Sequence, residues 1–167
     1  MFNIKNRKKG FTVIELLMVV SILSVLTSVV LVTVDNTREK AKLSAIKTNT
    51  KTIFNEGAIY YSDNNGFTTS SSLDNCESVG GVFGTTKIAE SLNRISDMST
   101  VDLGSSDFYC YIEPNNWSFA LDISSITRDD EIFCASSFDG RIFILEDSND
   151  VNVEDYIINN RCESPSI

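Results

Sequence analysis

From Phe11 to Val34 the chain runs for 24 residues with a single charged side chain, Glu15. A helix needs about 20 apolar residues, at about 1.5 Å each, to cross the hydrocarbon core of a bilayer, so this run is long enough to span one. Lys5, Arg7, Lys8 and Lys9 precede it with no acid among them. Such an excess of positive charge holds that end in the cytoplasm and sends the rest of the chain outward. A cleaved secretory signal would have an apolar region of only about 7–15 residues ending at small residues. This one is longer, and no A-x-A-like site closes it.

Glu15 is the residue that a simple anchor does not explain. A carboxylate at the bilayer centre costs about 2.5–3.5 kcal/mol, less near a helix end, and marks a partner or a function. It could snorkel to the cytoplasmic interface. Alternatively, a cut after Gly10 would give Phe11 a new α-amino group at the same depth, which Glu15 of a neighbouring copy could neutralise.

Lys8-Lys9-Gly10 followed by Phe11-Thr12-Val13-Ile14-Glu15-Leu16-Leu17 resembles the prepilin leader of type IV pilins and type II secretion pseudopilins. Basic leader, Gly before the cut, aromatic after it and acid at the fifth mature position all match. The resemblance implies that residues 1–10 are a leader, that prepilin peptidase cuts between Gly10 and Phe11 and N-methylates Phe11, and that Glu15 sets subunit register. The partners it implies are further copies of this chain and other pilins in a filament, the peptidase, a pilus or secretion assembly machinery, and membrane lipid before assembly. The implied location is a single-pass membrane protein that moves into an extracellular pilus. The likeness is good from Lys8 to about Tyr61 and beyond that extends only to general layout. Many pilins carry a helix-breaking Pro within the span; here the prolines are Pro114 and Pro165. Thr27, Ser28 and Thr33 remain as residues able to loosen the helix.

The net charge is −9, and a chain cut after Gly10 would carry −13 from its side chains. That acidity repels phosphate backbones, so no direct nucleic-acid binding is expected. Arg38, Lys40, Lys42, Lys47 and Lys51 cluster just beyond the span and read as a solvated or headgroup-facing flank. Cys76, Cys110, Cys134 and Cys162 lie on the outward side, an even number with three possible pairings. The pairing favoured is Cys76 with Cys110 and Cys134 with Cys162, each closing a loop at one end of the outer domain. With no histidine and no C-x-x-C pair, no metal site and no cofactor are expected.

Beyond the span, residues 35–62 continue the helical period. Leu43, Ile46, Ile53, Phe54, Gly57 and Tyr60, with Thr50 filling one place, make one apolar stripe, so the two segments form one helix of about 50 residues. Ser62-Asp63-Asn64-Asn65-Gly66 stops it. Residues 63–106 read as a variable loop carrying a short helix, about Thr86 to Ser96, in which Ile88, Leu92 and Ile95 share a face. From 107 to 146 the period becomes two, which gives four strands: Phe108 to Ile112, Trp117 to Ile123, Glu131 to Ala135 and Arg141 to Leu145. Asp139-Gly140 marks a hairpin. Residues 147–167 read as a solvated acidic tail, whose Asp147, Asn149, Asp150, Glu154 and Asp155 do not match the spacing of a calcium loop.

The expected fold is α+β: a long helix, membrane-spanning in its first half and amphipathic in its second, packed on a four-stranded antiparallel sheet with one wet face. No catalytic constellation is present, since histidine, G-x-S-x-G and phosphate loops are all missing, and no enzyme is expected. The function expected is that of a filament subunit. The alternatives are a secretion or competence pseudopilin or minor pilin, and a membrane-anchored outer binding domain that never polymerises.

Overall fold

Helix α1 runs without a break from Val13 to Asn64 and stops where Asn65 turns to a φ of 56°, inside the expected stop sequence. The computed structural model describes residues 10–127, 129–146, 152–157 and 162, without the side chains of 31–33. Lys5, Arg7, Lys8 and Lys9, Thr33's side chain, and Asp147, Asn149 and Asp150 lie outside that description. The chain divides into two units, one ending at Arg38 and one beginning at Glu39.

In the first unit the helix is apolar all round and no side chain within the description is covered: Val13, Leu16, Val20, Leu26 and Val30 are all more than half exposed. Its polar groups are satisfied within the helix. Ser21, Ser24 and Thr27 each donate their hydroxyl to the carbonyl four residues back, at 2.7–2.8 Å, and Ser28 donates to Val25. A lipid environment demands this, because a hydroxyl in hydrocarbon has no water to bond.

The second unit is built on a five-stranded antiparallel sheet in simple sequence order: β1 Ser72–Asn75, β2 Phe108–Ile112, β3 Trp117–Asp122, β4 Glu131–Ser136 and β5 Arg141–Glu146. Four of these match the expected strands; β1 is additional. It is short and mostly exposed, with Leu73 its one apolar residue, so no alternation announces it, and it pairs Asp74 with Cys110 on β2. The Cys76–Cys110 disulfide, S–S 2.01 Å, holds the chain there.

One face of the sheet carries Phe108, Cys110, Ile112, Trp117, Phe119, Leu121, Phe133 and Ala135, all buried. They pack on Ile46, Thr50 and Ile53 of α1 and on Ile88, Leu92 and Ile95 of helix α2, Thr86–Ser99, three residues longer than expected. Each fully buried large side chain contributes about 1.5–3 kcal/mol, so this layer dominates the stability of the unit. Gly57, which weakens a helix by itself, has a use here: a Cβ on it would lie 3.0 Å from Trp117 Nε1, and the ring packs between Phe54 and Phe119.

The opposite face is not wet. Ala120, Ile132 and Cys134 are covered by Val153, Tyr156, Ile157 and Cys162, and the Cys134–Cys162 disulfide, S–S 2.05 Å, ties the tail across the sheet. The solvated tail expected from its acids and asparagines is therefore corrected in its described part. Val153 and Tyr156 sit three apart on a single 3-10 turn, Val153–Tyr156, with Ile157 just after it, and the turn's start is closed by Asp155 accepting from the Asn152 N–H.

Candidate functional site

The first residues of α1 hold the chemistry that the sequence singles out. Gly10 and Phe11 lie ahead of the helix and are exposed, Phe11 86% so, and among the described residues nothing lies within 4 Å of where a Cβ on Gly10 would stand. Among the described residues nothing covers the Gly10–Phe11 peptide.

Thr12 closes the helix start. Its backbone N–H and its hydroxyl both donate to Glu15 Oε2, at 2.8 and 2.7 Å, and the Glu15 N–H points back to the Thr12 hydroxyl at 3.4 Å. This is a capping box, in which an acid at the third helical position satisfies the donors left over at an N-terminus. Among the described residues the Glu15 carboxylate takes no other hydrogen bond and no ion pair. The T-x-x-E spacing of Thr12 and Glu15 is legible in the sequence, yet Thr12 was not among the residues expected to matter.

The arrangement can do two things. It leaves the Gly10–Phe11 peptide exposed immediately before the helix, and it holds a carboxylate one turn inside that helix, bonded to the Thr12 N–H and hydroxyl. The four leader cations that would flank the cut on the other side lie outside the described residues. The four cysteines belong to the second unit. No group of three or more potential metal-ligating His, Cys, Asp or Glu side chains occurs among the described residues. Of the tail acids, Glu154 lies beside the Tyr109 hydroxyl, whose pKa is raised by burial first and by Glu154 and Asp74 next.

Residues 5–31 match a family model described as the prokaryotic N-terminal methylation motif. This is the class III leader signal of type IV pilins and pseudopilins, and the chain carries it over residues 5–31. α1 is long and apolar enough to cross a membrane, consistent with anchoring through its first half. No curated protein and no solved structure matches the chain.

Proposed function

We propose that this chain is a structural subunit of a pilin-type filament, stored in the membrane through residues 11–34, cut after Gly10 and then assembled outside the cytoplasm. The observation that carries the reading is the conjunction at the start of α1: an apolar segment exposed on all sides, and a carboxylate inside it whose hydrogen-bond donors, among the described residues, come from Thr12. Acyl chains cover such a segment in a bilayer, and the same segment of neighbouring copies covers it in a fibre. A cut after Gly10 turns the Phe11 nitrogen into a cation that methylation leaves charged. Glu15 of an adjacent copy then neutralises it, and since an unpaired buried charge is costly, only the stagger that brings the two together is stable.

The two disulfides support an outward position for the second unit, because such bonds persist in oxidising compartments. The protein works as a part rather than a catalyst: the chain has no histidine, the commonest general base. Shearing the producing cells and labelling the released material with antibody tests the proposal. Labelled fibres, or short assemblies if the chain serves as a pseudopilin, are expected; protein found only as monomer in the membrane fraction contradicts it.

A further inference from the structure

Charge is sharply segregated along the chain. Residues 35–51 hold five basic and two acidic side chains, whereas residues 52–167 hold five basic and twenty acidic ones. Lys40, Lys47 and Lys51, spaced by seven and four, fall on one face of α1, and all three are exposed. Lys47 and Lys51 are like charges one turn apart, which weakens the helix slightly. None of the three forms an ion pair among the described residues, where the pair is Lys87 with Glu56. An otherwise acidic molecule therefore displays a bare cationic stripe about 16 Å long, eleven residues at the helical rise.

A matching recess exists elsewhere on the same unit. A cleft of about 340 Å³ opens between the Cys76–Cys110 loop, α2 and the turn through Asp102. Its floor is apolar, with Val79, Phe83 and Leu92, and its mouth carries Glu77 and Asp102. The two carboxylates converge over Gly104: a Cβ there would meet Glu77 Oε2 at 2.8 Å and Asp102 Oδ1 at 3.9 Å, and the Gly104 N–H donates to Asp102 Oδ1 at 3.2 Å. Greasy floor and anionic rim suit a lysine, whose methylene stem packs on apolar surface while its ammonium stays at the polar edge.

We infer that this cleft receives the Lys40, Lys47 and Lys51 stripe of a second copy of the chain. Charge complementarity names the occupant: the cation that the cleft fits and the anion that the stripe lacks are both displayed by this protein and are not paired within one copy. Stripe and cleft are different surfaces, so the contact is head-to-tail and repeats without closing into a dimer, the symmetry that a fibre needs. The inference rests on the filament reading and adds to it a second, extramembrane contact.

Charge reversal in the full chain, expressed in the producing cells, tests it. Lys47→Glu with Lys51→Glu, and separately Glu77→Lys with Asp102→Lys, should each cut the sheared, sedimenting protein about tenfold, while all four changes together restore most of it. Intact disulfides on non-reducing gels confirm that the variants fold. Zero-length carbodiimide coupling of the wild-type assembly should yield a dimer band in which Lys47 or Lys51 is joined to Glu77 or Asp102. Wild-type yield from either reversed pair overturns the inference. So does a loss in the lysine variant alone with no rescue, which would assign the stripe to lipid headgroups. A wild-type chain that never sediments would instead defeat the filament reading itself.

Discussion

Thr12 gives both its backbone N–H and its hydroxyl to one oxygen of Glu15, at 2.8 and 2.7 Å, so the acid that is costly in a membrane also caps its own helix. The local cap and the proposed intersubunit counter-charge would fall on one side chain, and a substitution can separate them.

Glu15→Gln keeps an oxygen able to accept from Thr12, and glutamine also serves in capping boxes, but it removes the charge. Membrane insertion and helix content are expected to stay at the wild-type level while sedimenting assemblies fall by more than about tenfold, since breaking a buried pair costs about 3–5 kcal/mol. Glu15→Val should behave the same way in assembly. Quantitative blotting of sheared material checks both, and normal fibres from either variant would remove Glu15 from its assigned role.

Gly57→Ala adds a methyl 3.0 Å from the Trp117 indole, which is 1% exposed and held by Phe54, Phe83 and Phe119. The ring has nowhere to move, so overpacking of about 1–3 kcal/mol outweighs the gain of about 1 kcal/mol in helix propensity. The expected result is a Tm lower by about 2–6 °C. Trp117 is the chain's one tryptophan, so its fluorescence follows the transition directly.

Replacing Cys134 and Cys162 together by Ser should free the tail while leaving the α1 side of the core intact. The bond closes a loop of 28 residues, and its loss should cost about 2–4 kcal/mol. Tyr156, fully buried under the tail, becomes a chymotrypsin site. Limited digestion should cut there at least about tenfold faster than in the wild type, as expected when the population of the open state rises by this much.

Tyr111 donates its hydroxyl to Glu113 Oε1 at 2.6 Å, and this bond, then burial, then the Glu113 charge push its pKa up to about 12. A raised folded pKa means that the contribution to stability is complete below the ordinary tyrosine value near 10 and is lost as pH climbs from about 10 to 12. Glu113→Gln should bring the phenolate absorbance transition of Tyr111 down toward 10. An unchanged titration would show that Glu113 does not control it.

The long helix, its buried stripe and four strands are legible because they rest on period: 24 nearly uncharged residues, then steps of three and four, then steps of two. Where burial does not follow period, the sequence is mute. β1 is four mostly exposed residues, with Leu73 its one apolar side chain, held by pairing and by Cys76, so no local pattern exists to read. The tail hides Val153, Tyr156 and Ile157 among acids and asparagines, and their burial depends on Cys134 lying opposite, a fact of the sheet rather than of the segment. Gly57 reads as a helix weakness until Trp117, sixty residues later, is seen to need the room. At the candidate site, Gly10, Phe11 and Glu15 stand out by order and spacing; Thr12 is legible too, through its T-x-x-E spacing with Glu15, but only as a helix-start signal.

Peptide mass spectrometry of the N-terminus, on protein sheared from the producing cells, tests the account most directly. The account expects the chain to begin at Phe11 with one methyl group on its α-nitrogen. Assembled protein that still carries residues 1–10, or that begins at any other residue, would contradict it.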